Sequence, residues 1–173
     1  MERELHEKNV RQINELYLLL AKDENNFEKL GKEIEEINNL YINEFLLYLN
    51  EQNVPIEEIN DHVVNVGFYI NQYLIALGEY NIYNGMHGYN DFFSYFFVQK
   101  CGCRNKEDIL EFVTSLKKFY RFMYSKEYIL QIDIDKSERT IIKYKDKWLS
   151  IIDNYEYGKE EAEFDVPFDD PVE

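Results

Sequence analysis

From Ile56 to Leu77 the apolar residues Ile56, Ile59, Val63, Val66, Ile70, Tyr73 and Leu77 follow one another in steps of three and four. A strand would need steps of two, so this run predicts a helix with one face in a core. Its start is marked as well. Pro55 suits the first turn, where a missing N–H costs little, and Glu57 and Glu58 follow at the positive end of the helix dipole. A seven-residue apolar face has to be covered by other elements, and the rest of the chain repeats the pattern.

Leu5–Ala21 carries Val10, Ile13, Leu16, Tyr17 and Leu20 at helical spacing, and Glu24–Leu49 carries Phe27, Leu30, Ile34, Ile37, Tyr41, Phe45 and Leu49. Gly31, inside the second run, marks a break or kink. LGEYNIYNGMHGYND reads as a loop, and DFFSYFFVQKC as a short buried helix. Asn105 caps a further helix striped by Ile109, Phe112, Val113, Leu116, Phe119, Tyr120 and Met123. YILQIDI reads as a short extended piece. Asp135 and Glu138 then form a capping-box pattern before a last helix, with Ile141, Ile142, Trp148, Leu149 and Ile152, to about Asn154. With only 7 Gly and 3 Pro, and with 45% hydrophobic residues, the chain is expected to be an all-α helical bundle of about six helices. The helical domain is placed at residues 1–156, and 157–173 is expected to be an acidic flexible tail.

Charge divides the chain more sharply than hydropathy does. The formal net charge is −15, made of −11 over residues 1–99, +4 over 100–147 and −8 over 148–173. An acidic chain repels phosphate, but a basic segment can still present a local positive face. That segment includes SLKKFYRFMY, where Lys117, Lys118 and Arg121 lie off the apolar stripe of their helix. With Lys100, Arg104, Lys106 and Lys126 they make a candidate nucleic-acid-binding face.

YINEFLLYLNEQNVPIEEINDHVVNVGFYINQYL resembles the start of the core-binding (SAM-like) domain of tyrosine recombinases and phage integrases. Phe45-Leu46 with Tyr48-Leu49, Pro55, and Phe68 to Leu74 stand where that family has its FLxYL helix, its turn and its next helix. SLKKFYRFMYSKEYI resembles the family's last core-binding helix, through Leu116, Phe119, Phe122 and Ile129. The resemblance covers about residues 41–130. It implies a four-helix bundle that grips one side of a DNA duplex. The family's catalytic domain is not implied, because only 43 residues follow Leu130, all three histidines precede it, and Arg139 is the one arginine after it. A non-catalytic binding module is therefore expected, with weak DNA binding at most. The alternative is an acidic interaction protein, or nucleic-acid mimic, that binds a basic protein partner.

No other constellation predicts chemistry. Cys101 and Cys103 with His87 fall short of a zinc set in number and spacing, so reduced thiols, no metal and no cofactor are expected. His62 is expected at the surface or boundary of its helix, with Asp61 beside it and no recognisable nucleophile. Tyr69, Tyr73, Tyr80, Tyr83 and Tyr89 read either as the rim of an interface or as a bias of composition. No apolar run reaches the roughly 18–20 residues a membrane span needs, and MERELHEKNV lacks a secretory signal's apolar region. A cytoplasmic location is the expectation.

Overall fold

Six helices follow one another in the computed structural model, which describes residues 3–22, 24–100 and 105–164. They are α1 (Arg3–Leu20), α2 (Phe27–Glu51), α3 (56–77), α4 (89–100), α5 (Lys106–Ser125) and α6 (Gln131–Phe164). Among the described residues there is no strand. The protein is all-α. α1 packs on α2, α2 on α3, α3 on α5 and α5 on α6. α4 closes the bundle with rings: Phe92 meets Phe68 of α3 and Phe112 of α5, and Phe93 lies 4.7 Å from Trp148 of α6.

Most residues of the apolar stripes become the core, while Phe27 at the start of α2 and Ile142 of α6 are exposed. Ile13, Leu16 and Leu20 of α1 are buried with Leu30, Ile34, Ile37 and Tyr41 of α2, and every stripe residue of α5 is buried. α2 runs without a break through Gly31. A Cβ at Gly31 would only graze Ile75, so this residue is a small contact point and not a kink. On α3 the stripe is offset at its ends. Ile56 is 57% exposed, while Tyr69 and Leu74 are fully buried beside Ile70 and Tyr73. Ile56 is the first residue of the helix; at the other end the cause is a π-helical segment, Phe68–Leu74, whose i→i+5 bonds shift the register. A second π segment, Phe92–Phe96, faces it in α4. Tyr69, Tyr73 and Tyr89 are therefore core and do not rim a surface.

Turns between helices close with side chains and left-handed residues. α5 begins where Asn105 Oδ1 accepts the Asp108 N–H at 2.9 Å. α6 begins four residues before the expected box: the Leu130 N–H reaches Asp133 Oδ2 at 3.1 Å, and Asp135 lies inside the helix. YILQIDI is thus a turn followed by helix, with no extended piece. Backbone helix continues through Phe164, past the Tyr157 start expected for the tail, and residues 165–173 lie outside the described residues.

α2 and α5 both end in Schellman motifs. Val54 N–H bonds Leu49 O at 3.2 Å around Asn53 (φ 56°), and Tyr128 N–H bonds Met123 O at 2.9 Å around Glu127 (φ 59°). Asparagine tolerates this region, whereas glutamate has no local hydrogen bond of its own to compensate it. Glu127→Gly is therefore expected to raise stability by about 0.5–1 kcal/mol, after allowing for the larger entropy glycine gives the unfolded chain. Urea denaturation checks this, and a lower midpoint would contradict it.

A polar cluster joins the N-terminus to the bundle. Tyr41 and Tyr83 hydroxyls lie 2.7 Å apart, His6 Nδ1 is 3.0 Å from the Tyr41 hydroxyl, and the His6 ring stacks on Tyr128 at 4.3 Å. Tyr128 in turn donates to Glu44. Asn38, fully buried on α2, donates to Asn71 of α3 at 2.9 Å, and Asn71 donates to Asn39 at 3.0 Å.

Candidate functional site

Steps of three or four link Glu58 to Asp61 and His62, and each of these to Asn65, so the four line one broad flank of α3 beside its apolar stripe. α5 brings Leu110, Glu111, Thr114 and Ser115 against them, and the two faces enclose a pocket of about 260 Å³. Its rim is three carboxylates, and its floor is a hydrogen-bonded network. His62 is buried, not at the surface, and Ser115 is fully buried.

The network fixes its own protons. Ser115 Oγ donates to the Glu111 carbonyl at 2.9 Å, the usual back-bond of a helical serine. Asn65 Nδ2 donates to Ser115 Oγ at 3.1 Å. His62 Nδ1 is 2.9 Å from the same oxygen, and its Nε2 is 2.6 Å from Lys118 Nζ. An ammonium can only donate, so Nε2 must carry the lone pair and Nδ1 the proton. His62 therefore donates to Ser115. A serine that receives a proton from histidine, and has its own on a carbonyl, has no base facing it. Burial, and then the Lys118 charge, lower the His62 pKa below its usual 6.5, and Glu58 and Asp61 partly oppose this. Asp61 does not orient the ring; its partners come from α5.

The seven cations singled out in the sequence are spread along the molecule. Lys106 and Lys126 stand at the two ends of α5, a 20-residue helix and so roughly 30 Å apart. That is several times the Debye length of roughly 8 Å at physiological salt. Lys106 pairs with Asp153 at 2.7 Å, and Arg121 with Glu138 at 2.6 Å, both on α6. Lys118 turns toward α3 to meet His62. Lys117 turns toward α6, into a cleft with Val113, Ile141 and Lys145. Lys100 is exposed at the end of α4. Arg104, Cys101 and Cys103 lie outside the described residues.

The stronger charge feature is the acidic excess of residues 1–99, most of which falls in one stretch. Residues 33–99 hold ten carboxylates and no lysine or arginine. α3 and most of α4 fall within that span. Glu58, Asp61 and Glu111 form no ion pair with another described residue. Among the described residues no group of three or more His, Cys, Asp or Glu is arranged to hold a metal ion, and no helix is long and apolar enough to cross a membrane. No protein-family model, curated protein or solved structure matches the chain.

Proposed function

We propose that this chain is a non-catalytic helical interaction module that binds a basic protein segment at the α3–α5 groove. The observation that carries the reading is the groove's rim: Glu58, Asp61 and Glu111 converge there, none in an ion pair with another described residue, and outnumber Lys118, which is turned to His62 at the floor, in a chain of net charge −15. Such a field draws a positively charged partner and repels nucleic acid. The cations of the recombinase-like stretch work against a duplex-binding role, because Lys106 and Arg121 are matched by carboxylates of α6. Exposed pairs of this kind add little stability, but they cancel local positive charge. On this reading the recombinase-like helices serve as a scaffold.

Two probes test it: a decalysine peptide and a short DNA duplex, each titrated into the labelled full chain and followed by amide NMR shifts. Decalysine is expected to saturate with shifts concentrated on residues 56–66 and 107–118. Asp61→Lys combined with Glu111→Lys is expected to weaken it roughly tenfold, since two rim charges contribute about 0.5–1 kcal/mol each. Duplex is expected not to bind at about 0.15 M salt. Shifts spread evenly over α2 and α6 would reduce the groove to an effect of net charge. Saturable duplex binding mapped to Lys117 and Arg121 would put the DNA reading first.

A further inference from the structure

We infer that His62 is a proton-operated latch between α3 and α5, closed when its ring is neutral and released when the ring takes a second proton. The inference rests on the interaction reading only for its consequence at the groove; the latch itself is a property of the free protein.

The geometry is specific about which ring form fits. In the neutral form each ring nitrogen has the partner it needs: Nδ1–H donates to Ser115 Oγ at 2.9 Å, and Nε2 accepts from Lys118 Nζ at 2.6 Å. A proton added at Nε2 would set two cationic donors face to face with no acceptor between them. Lys118 would then have to leave. It is half-buried and sits on a flexible four-carbon stem, so a path to solvent exists. Ser115 cannot turn to help, because it is held by Glu111 O and Asn65.

The charged groups around the ring come from both helices. α3 supplies Glu58 and Asp61, and α5 supplies Glu111 and Lys118. Glu58 and Asp61 favour the protonated ring, while burial and Lys118 oppose it. The net lowering below 6.5 means that opposition wins in the folded state. The sign follows. A histidine that is harder to protonate when folded stabilises the fold fully above about pH 6.5, and that contribution is lost as pH falls below it. At the groove, protonation adds one positive charge beside the rim carboxylates, even as Lys118 swings toward solvent on its stem. Attraction for an external cation then falls in the same pH window.

The test follows the His62 ring by NMR in the free full-length chain between pH 4.5 and 8, with His62→Gln used to assign its signals. Ring nitrogen shifts are expected to report the Nδ1–H tautomer at pH 8. The titration midpoint is expected below that of an ordinary histidine. Lys118→Met removes the charge and keeps most of the stem, and it should shift the midpoint upward. Asp61→Asn should shift it downward. An Nε2–H tautomer, or a midpoint that Lys118→Met leaves in place, would overturn the latch. The urea midpoint should fall between pH 7 and 5.5 in the wild type and fall less in Lys118→Met. His6 is also held below its usual pKa by burial, so this comparison is made in a His6→Gln background. Equal falls in the two proteins would also overturn the latch. None of these readouts uses decalysine, so failure of the latch and failure of the groove as a docking site are told apart.

Discussion

Val66→Asp is expected to remove most of the stability of the fold, while Val64→Asp, two residues away, leaves the melt almost unchanged. Val66 is fully buried and Val64 is 67% exposed, because residues two apart on a helix point away from one another. Aspartate at 66 would lose the valine's apolar contacts and put a carboxylate into the hydrophobic core. Changes of this kind belong to the severe class, at about 4–5 kcal/mol. Small domains have only about 5–15 kcal/mol in total. Circular dichroism against urea, read for both variants, checks the claim. Acid adds a second check. A buried carboxyl is pushed to bind its proton, so the penalty of Val66→Asp should shrink as pH falls. Similar melts for the two variants would mean that α3 does not bury this face.

Helical periodicity made most of the bundle legible. It located the core faces of α1, α2 and α5, because those helices keep 3.6 residues per turn from end to end and the spacing then equals the geometry. It lost accuracy where the geometry changes. The rule that pairs Ile70, Tyr73 and Leu77 on α3 does not foresee that a π segment turns Tyr69 and Leu74 inward as well. The signal for that lies in crowding rather than period: FYINQY and FFSYFF place large rings at adjacent positions, and the two π segments meet ring to ring. The start of α6 was misplaced for a local reason. Asp133 serves as the N-terminal acceptor that Asp135 and Glu138 resembled, and Glu138 is drawn instead to Arg121.

The groove was legible only in halves. The polar spacing of Glu58, Asp61, His62 and Asn65 is visible in the chain, and so is that of Glu111, Ser115 and Lys118. That the two rows face each other is a tertiary fact, since His62 and Ser115 are 53 residues apart. Sequence neighbourhood pointed instead to Asp61 as the partner of His62, although adjacent residues on a helix do not face each other. The cations illustrate the same limit. Lys117 and Lys118 are adjacent in sequence and turn to opposite flanks of α5, toward α6 and α3.

Trp148→Ala is expected to cost about 3–5 kcal/mol, whereas Glu138→Ala and Asp153→Ala each cost less than about 1 kcal/mol. These three residues all fasten α6 to the bundle, so the comparison shows what holds it. Trp148 is fully buried, lies 4.7 Å from Phe93 at 34°, and places Nε1–H 3.4 Å from Asn90 Oδ1. Removing the indole would leave a void between α4 and α6 that fixed neighbours close only in part. Glu138 and Asp153 make short ion pairs, at 2.6 and 2.7 Å, but their side chains are 38% and 54% exposed. Water and salt screen such pairs, and holding long side chains still offsets much of the gain. Trp148→Phe should fall between, because it keeps one ring against Phe93 but loses part of the buried indole and a long hydrogen bond. The readout is the urea midpoint by circular dichroism, since the chain has a single tryptophan and fluorescence would vanish with it. If either ion-pair variant matched Trp148→Ala, α6 would be held by charge, and the acids of α6 would be structural groups instead of the neutralisers of the basic stretch.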